Sequence, residues 1–203
     1  MRTESPRRTL ATVVAATALV LTGCGSSGSP TATPPAVTEP AAAQGLLTEH
    51  GLDDLAPEAL VDQLDRTAVS DRPEGLIVSV RPDTLVVSDG QGGPESTVAL
   101  ENGEFYLSLA PYVDQTHDCW FHSLTTCLGE LRNEAIEVRI TDSASGEVLV
   151  EESTTTYDNG FVGYWLPRDI EATVEVTAGG RTGSALVPTG GEDATCLTTL
   201  RLA

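Results

Sequence analysis

The chain has no lysine, no methionine beyond the initiator, and only three histidines among its 203 residues. Its eleven cationic side chains are therefore all arginines, set against 30 acidic residues for a formal charge of −19. Such a surface repels nucleic acid and anionic lipid headgroups, which excludes both as partners. The missing methionines exclude a thioether-lined soft-metal site. No C-x-x-C is present, no G-x-S-x-G surrounds Ser123, and no glycine-rich phosphate loop precedes a helix, so the usual redox, hydrolase and nucleotide signatures are absent. The longest apolar run, Leu10 to Leu21, is too short to span a membrane comfortably.

That run follows Arg2, Arg7 and Arg8 and ends in Leu21-Thr22-Gly23-Cys24, which reads as an export signal over residues 1–23 closing on a bacterial lipobox. Cys24 is the expected lipidation site, and its acyl chains would hold the protein to the outer side of the cytoplasmic membrane. Residues 24–45, rich in Ser, Pro, Thr and Ala, offer almost nothing to bury and read as a flexible tether. Removing residues 1–23 leaves eight arginines against 29 acidic residues, a charge of −21.

About 160 residues follow from Leu46, enough for one domain or two small ones. Pro57 and Glu58 suit a first helical turn, after which Leu60, Val61 and Leu64 form an apolar stripe. Strands are expected at 76–80, 84–88, 97–100 and 104–109, divided by turns at Asp89-Gly90 through Gly93-Pro94 and at Asn102-Gly103. Farther on, Ile136, Val138 and Ile140 share one strand face, and Ile170, Ala172, Val174 and Val176 share another. Turns at Ser145-Gly146, Asn159-Gly160 and Gly179-Gly180 space these runs as in an antiparallel sandwich of transthyretin-like or immunoglobulin-like character over 134–188. The expected fold is mainly β with some α. An N-terminal helix and small sheet (46–112) precede an antiparallel β-sandwich-like domain (113–203) that carries the cysteines. In the final strand, Cys196, Thr198, Leu200 and Leu202 are expected on one face.

With Cys24 lipidated, three thiols remain on the oxidising side of the membrane, and an odd number cannot all pair within one monomer. Two of them, Cys119 and Cys127, lie in His117-Asp118-Cys119-Trp120-Phe121-His122-Ser123-Leu124-Thr125-Thr126-Cys127 with two of the three histidines. A straight helix would hold these cysteines' Cα atoms about 12 Å apart, and a strand roughly 27 Å apart. A shared metal needs sulfurs within about 4 Å, and a disulfide needs Cα atoms about 5.5 Å apart. The segment therefore folds back as a compact loop with one helical turn. Three readings stay open. One is a Cys119–Cys127 disulfide with Cys196 a buried spare thiol. Another is a metal site of Cys119, Cys127 and Cys196 with His122 or His117 as auxiliary ligand. Three thiolates suit trigonal Cu(I), whereas zinc, the weaker candidate, would take His122 as a fourth ligand. The last is thiol–disulfide exchange.

His117 to Leu131 (HDCWFHSLTTCLGEL), with Thr195-Cys196-Leu197-Thr198-Thr199-Leu200, resembles the CueP family of periplasmic copper-binding proteins. Leu76 to Asp83 (LIVSVRPD), followed by Ser88-Asp89, is similar to the same family's N-terminal part, so the resemblance covers about residues 46–203. It implies copper binding for resistance, with Cys119, Cys127 and Cys196 as the ligands, reduction of Cu(II) to Cu(I), retention or transfer of the ion to an exported cuproenzyme, and a homodimer. The lipobox departs from the family's soluble form. Two thiolates closing a disulfide would reduce two Cu(II); a protein consumed in that way is not read as an enzyme. Trp120 and Phe121 are expected in the core or as a shield around the sulfurs. The reading from another class is a lipid-anchored, disulfide-stapled β-domain that binds other exported molecules without metal.

Overall fold

The computed structural model describes residues 39–203; the leader, Cys24 and residues 25–38 lie outside the described residues. Among the described residues two α-helices come first, α1 (Glu39–Glu49) and α2 (Pro57–Arg66), then a 3-10 turn at Val69–Asp71. Ten strands follow: β1 (Ile77–Val80), β2 (Thr84–Ser88), β3 (Ser96–Ala99), β4 (Glu104–Leu109), β5 (Ala135–Asp142), β6 (Val148–Thr155), β7 (Val162–Pro167), β8 (Glu171–Ala178), β9 (Arg181–Pro188) and β10 (Cys196–Leu197). They form three sheets of order β1-β2-β3, β10-β4-β7 and β6-β5-β8-β9. The mainly β architecture with an N-terminal helical part agrees with the sequence expectation, and the four early strands lie within one residue of it.

Helix α1 takes in residues 39–45, which composition assigns to the tether. Its Ala43 and Leu47 are buried, and the helix lies against β2 and β3. Alanine is the best helix former and fits closely against a sheet, so a segment without large apolar side chains still docks there.

Strand β4 divides the molecule. Its odd residues Phe105, Leu107 and Leu109 enter the core between the sheets of β4 and β5, together with Ile136, Val138, Ile140, Val174 and Val176. Its even residues face the other way: Tyr106 joins the core of α1, α2 and the β1-β2-β3 sheet, and Ala110, just past the strand, joins a small cluster with Phe161 and Cys196. Successive side chains on a strand point to opposite faces, so a strand buried on both sides can serve two cores. Each large side chain so buried contributes about 1.5–3 kcal/mol.

The chain's tail departs from the expected alternation. Cys196 and Leu197 pair parallel to Ser108 and Leu109, and the backbone N–H of Ala110 then bonds Leu197 while that of Tyr112 bonds Leu200. Two steps on one side match three on the other, so the tail carries an extra residue that shifts its facing by one. Leu200 and Leu202 consequently join Leu197 in the sandwich core. Cys196 sits apart from them, in the cluster with Ala110 and Phe161.

Candidate metal centre

The segment from Trp120 to Cys127 is held by the free edge of β1. The N–H of Val80 bonds the carbonyl of His122 at 2.8 Å, and the N–H of Leu124 bonds that of Val78 at 2.9 Å. The chain then makes one helical turn, with the Cys127 N–H on the Ser123 carbonyl at 3.1 Å. That is the fold-back which the sulfur geometry requires. The tail crosses behind: the Cys196 N–H bonds the Trp120 carbonyl at 3.2 Å. Buried Thr195 accepts the His122 N–H at 3.0 Å and donates its hydroxyl to the Val80 carbonyl at 2.7 Å. A third loop closes the site where Gly129 and Gly160 meet backbone to backbone. The Gly129 N–H reaches the Asn159 carbonyl at 2.7 Å, φ at Gly160 is 82°, and a Cβ on either glycine would overlap the other's main chain.

These segments bring the three thiols together. Cys119 and Cys127 are free and half-buried with sulfurs 3.6 Å apart, and the buried Cys196 sulfur lies 3.9 Å from His122 Nδ1. Among the described residues two triads of ligand atoms lie within 4.8 Å of one another, His117-Cys119-Cys127 and His122-Cys127-Cys196. His117 is exposed and His122 is fully buried. The sulfurs' apolar wall is Phe161 and Ala110. Phe161 lies 4.4 Å from the His122 ring. The expectation that Trp120 and Phe121 shield the sulfurs is corrected: Trp120 is 60% exposed and Phe121 stacks on Arg81 at 4.9 Å. Both side chains belong to the rim of the loop; at Phe121 this follows from the backbone bonds to Val78 and Val80, which turn His122 and Leu124 inward and the residue before His122 outward.

Behind His122 lies a group that sequence reasoning passed over. His122 Nε2–H donates to Asp65 Oδ1 at 2.8 Å, and both side chains are 0% exposed. Asp65 also accepts from the Tyr106 hydroxyl at 2.7 Å, the Ser108 hydroxyl at 3.2 Å and Asn159 Nδ2 at 2.9 Å. Glycine at position 163 makes room, since a Cβ there would overlap the Tyr106 hydroxyl. Burial opposes the Asp65 charge, but His122 and the donated hydrogen bonds outweigh it and lower the carboxyl's pKa. Burial likewise opposes the His122 charge, and Asp65 overrides it, pushing the imidazole up to about 9. A carboxylate behind a histidine fixes the ring's orientation: with Nε2–H held by Asp65, the ring presents Nδ1 to the sulfurs, as an N–H in the metal-free protein and as a free ligand nitrogen once that proton leaves. The one signal for Asp65 in the sequence is its place on α2, four residues after Val61, beside the buried stripe.

The sulfurs divide their protons unequally. Hydrogen bonds from the Cys119 and Cys196 thiols, against burial and with help from His122, push Cys127 strongly down. The bond to Cys127 pushes Cys119 up to about 12, and bonds to both neighbours push Cys196 well up. Cys127 is thus the resident thiolate, further served by the Ser123 N–H at 3.4 Å. With iodoacetamide at about pH 6, the apoprotein is expected to label at Cys127 before Cys119, at a rate flat to about pH 8, because the thiolate is the reacting form. Peptide mapping checks this; first labelling at Cys119, equally half-buried, would overturn the assignment.

The comparisons with known proteins bear on this centre. The family model "Periplasmic copper-binding protein CueP" matches residues 59–201. Among solved structures, the crystal structure of S.CueP is similar to this chain at 41% identity and a TM-score of 0.72, over 79% of this chain and 96% of that one. No curated protein matches. Among the described residues, no helix is long and apolar enough to cross a membrane. The chain belongs to the CueP family of periplasmic copper-binding proteins, and is an exported protein whose partner is a copper ion.

Proposed function

We propose that this protein sequesters copper as Cu(I) on the thiolates of Cys119, Cys127 and Cys196 with Nδ1 of His122, for copper resistance or for transfer to an exported cuproenzyme, while lipidated Cys24 tethers it to the outer face of the cytoplasmic membrane. The carrying observation is that Cys196 Sγ stands 3.9 Å from His122 Nδ1, 74 residues away in sequence, in a cluster that includes the other two thiols. Soft sulfur donors inside an apolar wall favour a soft monovalent ion and keep water from it. Three sulfurs and one imidazole also satisfy tetrahedral zinc, and a competition between the two ions at the reduced protein separates the readings.

The same thiols can supply electrons. Cys119 and Cys127, with sulfurs 3.6 Å apart, would each give one electron and close a disulfide, reducing two Cu(II) to two Cu(I); Cys196 and His122 would then retain one of the products. On anaerobic addition of Cu(II), the free thiols of the mature protein are expected to fall from three to one as Cu(I) appears at a chromogenic chelator. An unchanged thiol count would eliminate reduction, and failure to bind Cu(I) would eliminate sequestration.

A further inference from the structure

We propose that the centre holds two successive copper positions that share Cys127: an outer capture position of His117, Cys119 and Cys127, and an inner holding position of His122, Cys127 and Cys196. The inference rests on the copper-binding reading above and assigns distinct roles to its ligands. Each triad places its ligand atoms within 4.8 Å of one another. The combined set has five donors, more than the four that a tetrahedral ion takes. Burial grades the donors from outside to inside: His117 is exposed, Cys119 and Cys127 are half-buried, Cys196 is 5% exposed and His122 is 0% exposed.

A cleft of about 340 Å³ lined by His117, Ala110 and Leu128 opens beside the outer triad. Its wall residue Ala110 packs on Cys196 as well. An ion from solvent therefore meets an accessible imidazole and two partly exposed sulfurs before it meets the buried pair. For an ion arriving as Cu(I), the handover is a ligand exchange with no change of oxidation state. The bond to Cys127 persists while His117 and Cys119 leave and His122 and Cys196 bind. As the inner pair binds, the Cys196 thiol proton passes to the departing Cys119 thiolate and the Nδ1 proton of His122 passes to solvent, so the protons are accounted for and no free ion forms.

The test uses the reduced full-length protein and Cu(I) delivered from a chromophoric chelator under anaerobic conditions, with transfer followed in time and at equilibrium. His117→Ala is expected to slow capture about tenfold, within the one to three decades over which on-rates vary among variants of one site, with the equilibrium constant unchanged. Release to a stronger chelator must then slow by the same factor. His122→Ala is expected to weaken equilibrium binding by about 10–100-fold or more. An affinity loss in His117→Ala equal to that in His122→Ala would overturn the two-position scheme in favour of one site, as would a wild-type capture rate in His117→Ala. A wild-type protein that takes up no Cu(I) would instead overturn the copper reading on which the scheme rests.

Discussion

Cys196→Ser is expected to weaken Cu(I) binding more than any other single substitution, by more than the roughly 10–100-fold lost when a residue that merely holds a metal-binding histidine is removed. Serine keeps the shape of cysteine but replaces a soft thiolate with a hard, neutral oxygen that a Cu(I) ion does not favour. The substitution acts where the centre is driest, at a side chain 5% exposed whose N–H is tied to the Trp120 carbonyl and whose sulfur faces His122. The remaining thiols both come from the 119–127 loop, so the loss converts a centre built from two distant segments into a single-loop site. Burying a hydroxyl in place of the sulfur costs about 1–3 kcal/mol, so the apoprotein stays folded and the binding result is interpretable. Competition against a Cu(I) chelator checks it, and an affinity within a few-fold of wild type would remove Cys196 from the ligand set.

Asp65→Asn is expected to lower Cu(I) affinity by about 10–100-fold although the side chain touches no metal ligand atom that binds the ion. The carboxylate accepts from four side chains at once. An amide offers one acceptor oxygen and an N–H₂ that meets donors, so the Nε2–H of His122 loses its anchor. Nitrogen NMR of the imidazole in the Cu(I)-loaded protein reads the proton on Nε2 directly, which a merely structural role would leave unchanged. Stability of the metal-free protein supplies a second readout. His122 has its pKa raised to about 9 in the fold, so its share of stability is complete below the unfolded value near 6.5 and is lost as pH rises through about 9. Asp65 is lowered, so its share is present above the unfolded value near 3.9 and is lost in acid. The gap in urea midpoint between wild type and Asp65→Asn is therefore expected to be widest between about pH 4 and 6.5 and to close toward alkaline pH. A gap independent of pH would show that Asp65 acts through packing alone.

The four early strands and the runs around Ile136–Ile140 and Ala172–Val176 were readable because they are short, rich in apolar residues and bounded by turn residues. Leu85, Val87, Val138 and Ile140 lie inside as their period requires. Helix α2 was readable for the same reason, through Leu60, Val61 and Leu64. The fold-back at Ser123–Cys127 followed from sulfur chemistry, since neither a helix nor a strand brings Cys119 and Cys127 together. Helix α1 was not readable, because its buried Ala43 carries too little apolar surface to register in a pattern. The displaced facing of the tail was not readable either, because the extra residue after Leu197 is defined by its pairing with the Ala110–Tyr112 stretch.

What the sequence determined by itself was the supply of donors: three exported thiols, two nearby histidines, no lysine, no competing methionine, and a local geometry that forces the loop to close. What only the tertiary structure decided was which donors face which. The fold set His122 inward and His117 outward, brought Cys196 to the loop, and placed Asp65 behind the buried ring. Spacing along a chain limits distances within one segment, but contacts between a helix, a loop and a tail depend on how three separate hydrophobic surfaces pack. The protonation of Cys127 and His122 depends in turn on those contacts.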